Sequence, residues 1–95
     1  MIAVDVRKDG ITVSGHAEYA EAGKDIVCAS ISILTQNLIK SMKDLTEDRI
    51  DYEISPGRAD IKYENLSEKS KNLVDSFFIG VCMIANKYPR NVTIQ

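Results

Sequence analysis

The strongest constraint on the fold is the hydrophobic period, which changes from two residues to about 3.6 residues twice along the chain. Apolar residues alternate with polar ones from Ile2 to Val6 and from Ile11 to Gly15, as in half-buried strands. Asp9-Gly10, between these segments, favours the positive backbone angles of a tight hairpin. Further along the chain, Ser55-Pro56-Gly57-Arg58 is a turn sequence between two more alternating segments. Each half of the chain is therefore predicted to begin with a β-hairpin.

Each hairpin is followed by a segment with the period of an amphipathic helix. Asp25 is the predicted N-cap of the first helix and Ser67 that of the second, while Pro89 marks the end of the second. The apolar stripes are Val27, Ile31, Leu34, Leu38 and Met42 in the first helix, and Leu73, Phe77, Val81, Ile84 and Tyr88 in the second. A short final strand follows, so the order is ββαββαβ. We predict a single α+β domain over residues 1–95, with two helices packed on one mostly antiparallel sheet.

Composition is typical of an ordinary globular protein. Hydrophobic residues make up 44% and charged residues 27% of the chain, which argues against disorder. The formal net charge of −2 gives no basic surface for direct nucleic-acid binding. No apolar run approaches the roughly 20 residues that span a bilayer, and the first residues do not resemble a signal peptide. We therefore expect a cytoplasmic protein without membrane contact, whose cysteines are reduced.

The chemistry available to the chain depends on one histidine and two cysteines. Cys28 lies three residues after Asp25, in the first helical turn, where the helix dipole and unpaired N–H groups favour a thiolate. These N–H groups are also candidates to hold the oxyanion of a tetrahedral intermediate. His16, the only histidine, ends the second strand, and a loop of residues 17–24 joins it to the helix. This order can bring the imidazole within reach of the sulfur, as a nucleophile–base pair requires.

Each of these residues also has a simpler structural interpretation. Cys28 can be a structural cysteine of a non-catalytic interaction module, and Asp25 can be only a helix cap. Cys82, in an apolar part of the second helix, is predicted to fill the core. Two cysteines and one histidine are too few ligands for a zinc site, so no metal is expected. Spacing alone leaves both the enzyme and the interaction module open.

A resemblance to a known family favours the enzyme. Gly15-His16-Ala17 and the segment Gly23-Lys24-Asp25-Ile26-Val27-Cys28-Ala29 resemble the signature of the ribosomal-processing cysteine proteases, the Prp family. In that family a histidine and a cysteine form a catalytic dyad. The resemblance therefore implies that Cys28 is the nucleophile, that His16 is the general base and proton donor, and that Asp25 has an orienting or capping role.

The resemblance also implies where the substrate binds. The candidate substrate-binding residues are Gly15, Ala17, Tyr19, Gly23 and Ala29. Residues 17–24 are expected to be mobile without substrate and to close over it, with Gly23 as a hinge and Tyr19 packing on the substrate.

The same resemblance implies a peptide substrate, a second copy of this chain as partner, and no cofactor. The expected substrate is the N-terminal extension of a large-subunit ribosomal protein, L twenty-seven, which would be cut by a cysteine endopeptidase. The family also suggests a homodimer. The second helix agrees with this, because its apolar surface is broader than one sheet face needs, through Phe77, Phe78, Ile79 and Met83.

Overall fold

The computed structural model describes residues 1–95 and contains two helices and five strands in the predicted order. The elements are β1 (Ile2–Arg7), β2 (Gly10–Gly15), α1 (Ile26–Leu45), β3 (Ile50–Ser55), β4 (Arg58–Tyr63), α2 (Glu68–Lys87) and β5 (Val92–Ile94). The strands form one sheet in the order β3-β4-β2-β1-β5. The β1–β5 pair is parallel and the other three pairs are antiparallel. The predicted α+β class and the ββαββαβ order are confirmed.

The two helices cover one face of the sheet because the strand side chains alternate between an apolar and a polar side. The core combines Ile2, Val4, Ile11, Ile61 and Val92 of the strands with Val27, Ile31, Met42, Phe77 and Val81 of the helices. On the other side, polar groups bond to one another. Asp60 there accepts hydrogen bonds from Thr12 and Arg58. The result is a two-layer structure with one sheet face uncovered.

Both helices begin at the residues that the sequence predicts. Asp25 is the N-cap of α1 and Ser67 is the N-cap of α2. α2 ends with Tyr88 as its C-cap, directly before Pro89. Neither helix is long and apolar enough to cross a membrane. These caps fix where α1 starts, and therefore where the first turn with its cysteine lies.

The turn of the first hairpin differs from the prediction. Arg7 pairs with Gly10, so Lys8 and Asp9 are the two central turn residues. Neither Asp9 nor Gly10 has a positive φ, so the prediction that they supply such angles is wrong. Glycine is required at position 10 because β4 passes close to it: a Cβ there would collide with the carbonyl oxygen of Ile61.

The edge strand β3 extends beyond the cover of the helices. Its side chains Tyr52 and Ile54 pair with core positions on β4, yet 43% and 53% of their surfaces remain exposed. Lys43 of α1 lies 5.4 Å from the centroid of the Tyr52 ring and donates to its hydroxyl group. A groove therefore remains between α1 and the β3–β4 hairpin.

Candidate active site

Cys28 is the third residue of α1 and lies half-buried against the core. Its Sγ accepts a hydrogen bond from the backbone N–H of Ala17, with an N···S distance of 3.2 Å. A donor aimed at the sulfur stabilises negative charge on it. The attacking form of a cysteine is its thiolate, so this hydrogen bond is directed at the atom that carries the charge.

The carboxylate of Asp25 holds four backbone N–H groups. Oδ1 accepts from Val27 at 3.0 Å and Cys28 at 2.9 Å, and Oδ2 accepts from Tyr19 at 2.9 Å and Ala20 at 3.3 Å. These hydrogen bonds, above all the one from Cys28, lower the pKa of Asp25 below its ordinary value. At pH values above the ordinary carboxyl pKa, these hydrogen bonds contribute fully to the stability of the fold. Their contribution is lost as the pH falls through the lowered pKa of Asp25.

The same contacts occupy the N–H groups at the start of α1. Val27 and Cys28 donate to the side chain of Asp25, and Ala29 donates to its carbonyl oxygen at 3.1 Å. Contrary to the sequence-based expectation, these three groups are therefore not free to bind an oxyanion. Asp25 acts as a helix cap and loop anchor, and none of its hydrogen bonds goes to His16.

His16 follows the last residue of β2 and is exposed. Its ring lies against the β3–β4 turn so closely that a Cβ on Gly57 would be 2.8 Å from Nε2. Gly57 has a φ of +73°, which favours glycine, and its carbonyl oxygen accepts the N–H of Gly15 at 2.8 Å. The turn predicted from Ser55-Pro56-Gly57-Arg58 is therefore present, and it forms a wall beside the imidazole.

His16 and Cys28 line two adjoining cavities. One, of about 190 Å³, lies between α1 and the sheet and has an apolar wall that includes Ile31 and Ile54. The other, of about 500 Å³, lies between α1 and the loop. Ser32, one helical turn beyond Cys28, lines both. Together the cavities form one cleft, with His16 and Cys28 at its centre.

The predicted substrate-binding residues divide into two groups. Gly15, Gly23 and Ala29 line the cleft. The side chains of Ala17 and Tyr19 do not line it, and their contact with substrate stays a prediction. Ala17 is buried in the core and offers only its backbone to Cys28. The ring of Tyr19 packs edge-on against Tyr88, with 5.3 Å between the ring centroids.

The loop of residues 17–24 is held unevenly. Its first part is fixed by Asp25 and by Asn91, whose side-chain amide donates to the carbonyl oxygen of Ala17 at 2.8 Å. Residues 21–24 are held by contacts between Glu21 and Lys24. Their side chains form an ion pair of 3.0 Å, and the backbone N–H of Lys24 donates to the carbonyl oxygen of Glu21. Movement on substrate binding is therefore expected for residues 21–24 rather than for the whole loop.

Replacing Asp25 by asparagine should release the first part of the loop without unfolding α1. The amide oxygen can still accept N–H groups of the first helical turn, whereas its NH₂ group cannot accept those of Tyr19 and Ala20. In amide hydrogen exchange, Tyr19 and Ala20 should lose their protection while Cys28 keeps it.

A matched control for this variant is Asp48→Asn. Asp48 also accepts hydrogen bonds near a helix start, from the backbone and hydroxyl groups of Ser67 at the N-cap of α2. This variant should leave the exchange of Tyr19 unchanged. Unchanged protection of Tyr19 in Asp25→Asn would contradict the anchoring role of Asp25.

Sequence reasoning missed two residues beside the site. Gly57 was recognised only as a turn residue, and Asn91 was not singled out. Asn91 is 74 positions from its partner Ala17. No local pattern indicates such contacts, since they depend on which strands become neighbours in the sheet. Only the pairing of β4 with β2 and of β5 with β1 brings Gly57 beside His16 and Asn91 beside Ala17.

Cys82 differs from the prediction that it fills the core. It is half-buried on α2 and is not among the side chains that form or pack against the core. Its thiol lines neither cavity of the cleft. No group of three or more His, Cys, Asp or Glu side chains is arranged to hold a metal ion. Cys82 thus provides an internal control thiol away from the site.

Comparison with known proteins identifies the family. The family model described as cysteine protease Prp matches residues 1–93. The chain belongs to this family. It is therefore a cysteine protease, and not the non-catalytic interaction module that spacing alone left open.

Relatives in the Prp family align over the whole chain. The ribosomal processing cysteine protease Prp of Staphylococcus aureus is 24% identical over 104 positions, which cover 100% of this chain and 98% of the relative. The protein of the same description from Mycoplasma genitalium is 29% identical over 98 positions, covering 100% and 95%.

Solved structures of the S. aureus protease have the same fold. The structure with a covalently linked product peptide has a TM-score of 0.93 at 24% identity, over 100% of this chain and 98% of that chain. The structure with a substrate peptide has a TM-score of 0.81 at 22% identity, with the same coverage. At this level of identity the comparison establishes the shared two-layer architecture.

Proposed function

We propose that this protease cleaves peptide bonds with His16 and Cys28 as its catalytic dyad. The observation that carries the proposal is that the only histidine and the cysteine of the first helical turn line the same cleft. The hydrogen bond from Ala17 to Sγ adds support, because a donor directed at the sulfur stabilises the negative charge that a nucleophilic cysteine carries.

In the proposed mechanism His16 accepts the proton of the Cys28 thiol, and Sγ attacks the carbonyl carbon of the scissile bond. The tetrahedral oxyanion collapses as the C–N bond breaks. His16 then donates its proton to the leaving amine, and the acyl group remains on Cys28 as a thioester. Water gives a proton to His16 and attacks the thioester, which releases the acid and restores the thiol. No cofactor takes part in these steps.

We further propose that the substrate is the N-terminal extension of the large-subunit ribosomal protein L twenty-seven. Relatives from two bacteria are described as ribosomal processing proteases. The cleft agrees with an extended peptide, because its two cavities adjoin at Cys28 and one has an apolar wall. A ribosomal substrate places the enzyme in the cytoplasm, in agreement with the expectation from the sequence.

A synthetic peptide that carries this extension tests the proposal. The protein should cut it at a single bond, seen as two products by mass spectrometry, and should leave a peptide of scrambled order intact. In parallel, iodoacetamide at neutral pH should modify Cys28 faster than Cys82. An intact peptide together with equally slow alkylation of both thiols would contradict the dyad. An intact peptide with fast alkylation of Cys28 would contradict only the substrate.

We also propose that the enzyme is a homodimer formed through α2. Phe78, Ile79 and Met83 expose 38%, 61% and 68% of their surfaces on this helix. Phe77, which the sequence also assigned to this surface, is instead buried in the core. Exposed apolar patches of this kind mark protein interaction sites. Light scattering should give twice the mass of one chain, and a monomer at micromolar concentration would contradict the proposal.

A further inference from the structure

We infer that Asn91 is a positioning residue for the nucleophile, acting through the backbone of Ala17. The inference rests on the proposed role of Cys28. The Asn91 side-chain amide donates to the carbonyl oxygen of Ala17 at 2.8 Å, and the N–H of Ala17 donates to Sγ of Cys28 at 3.2 Å. Ala17 is thus held by a side chain from the turn before β5, and Ala17 in turn contacts the reacting atom.

The sulfur depends on this donor because three other N–H groups at the start of α1 are occupied. The N–H groups of Val27, Cys28 and Ala29 all donate to Asp25. The hydrogen bond from Ala17 is the one that Sγ receives. Charge-assisted hydrogen bonds are about twice as strong as neutral ones, so a donor directed at Sγ stabilises negative charge on that atom.

Ala17 is also the residue directly after His16, so its orientation affects both members of the dyad. Its N–H belongs to the peptide unit that begins at the carbonyl group of His16. The side chain of Ala17 is buried, and its carbonyl oxygen is bound by Asn91. Fixing Ala17 at these points therefore fixes the backbone from which the imidazole extends.

Asn91 itself has little freedom. Its backbone N–H donates to the carbonyl oxygen of Tyr88 at 3.0 Å, and its own carbonyl oxygen accepts the N–H of Ile2 at 2.8 Å. It is thereby tied to the end of α2 and to β1 at once. An amide suits the position because it can donate to a carbonyl oxygen, whereas a carboxylate of the same shape cannot.

The test uses the Cys82→Ala protein, in which Cys28 is the only thiol, and compares Asn91→Ala and Asn91→Asp within it. Both variants should be alkylated by iodoacetamide about tenfold more slowly near pH 7. The difference should disappear near pH 10, where the thiol ionises in every variant. A role in folding alone would lower the melting temperature and leave this pH dependence unchanged.

Asn86→Ala provides the matched control, since Asn86 is exposed near the end of α2 and makes no side-chain hydrogen bond. It should keep the alkylation profile of the parent protein. A parent-like profile in folded Asn91→Asp would overturn the inference, because the shape is retained and the donor is lost. Cleavage of the ribosomal peptide by that variant at the parent rate would leave the proposed function standing, so the two failures are distinguishable.

A second measurement needs no Asn91 variant. In NMR spectra of the Cys82→Ala protein, the amide proton of Ala17 and the side-chain amide protons of Asn91 should shift with pH. The pH at the midpoint of both changes should equal the pH at the midpoint of the alkylation-rate profile. If the Asn91 resonances do not respond to ionisation of Cys28, the inference is wrong, whether or not the variants fold.

Discussion

Replacing Cys28 by alanine should abolish peptide cleavage while the protein stays folded. Without the sulfur no thioester can form, and loss of a nucleophile lowers kcat by a factor on the order of 10⁶ in a well-studied protease. The side chain is half-buried and small, so the free energy of unfolding should fall by only about 1 kcal/mol. The measurement is product formation from the ribosomal peptide, with circular dichroism to verify the fold.

Cys82→Ala is the control for this variant, because it makes the same chemical change at a half-buried thiol outside the cleft. It should retain the parent activity. Its melting temperature should change little, since Cys82 does not pack against the core. Turnover that survives in Cys28→Ala but disappears in Cys82→Ala would exchange the roles assigned to the two cysteines.

Replacing His16 by alanine should lower kcat/KM by about 10²–10⁴-fold, the usual contribution of general acid–base catalysis. No other histidine is present to take over the proton transfer. The side chain is exposed, so the fold should not depend on it. Free imidazole added to the buffer should restore part of the activity, because removing the ring leaves a space beside Gly57.

The pH profile provides the decisive comparison for His16. In the parent enzyme, kcat/KM should depend on pH between about 5 and 8, because His16 must accept a proton in one step and donate it in the next. This dependence should be absent from the residual activity of His16→Ala. Full activity of the variant across that range would remove His16 from the mechanism.

The architecture was largely predictable because it depends on local patterns. Apolar alternation defined the strands, and Asp25 and Ser67 were correctly identified as caps, since capping is a contact within one turn. The first hairpin turn was not predicted correctly. Gly10 is needed for its close approach to β4 and not for its backbone angles. That requirement comes from a strand about fifty residues further along the chain, which no local pattern describes.

The same distinction applies to the site. His16 and Cys28 lie on either side of one loop, so their order in the sequence already suggested that they meet. The hydrogen bonds by which Asp25 occupies the N–H groups at the start of α1 were harder to predict. Asp25 was identified as a cap, but its binding of Tyr19 and Ala20 depends on how the loop folds back. The contact of Asn91, in the turn before β5, with Ala17 could be predicted only from the order of the strands in the sheet.

The packing of His16 against Gly57 has a consequence for protein engineering. Replacing a turn glycine by a larger residue is a common way to stabilise a protein, but it fails where φ is positive. At Gly57 an added side chain would also collide with the imidazole of His16 and displace it. Thermal stability and catalytic rate therefore cannot be changed independently by substitutions in the β3–β4 turn. A search for variants of higher thermal stability should begin at Lys8 and Asp9, because their turn lines neither cavity of the cleft.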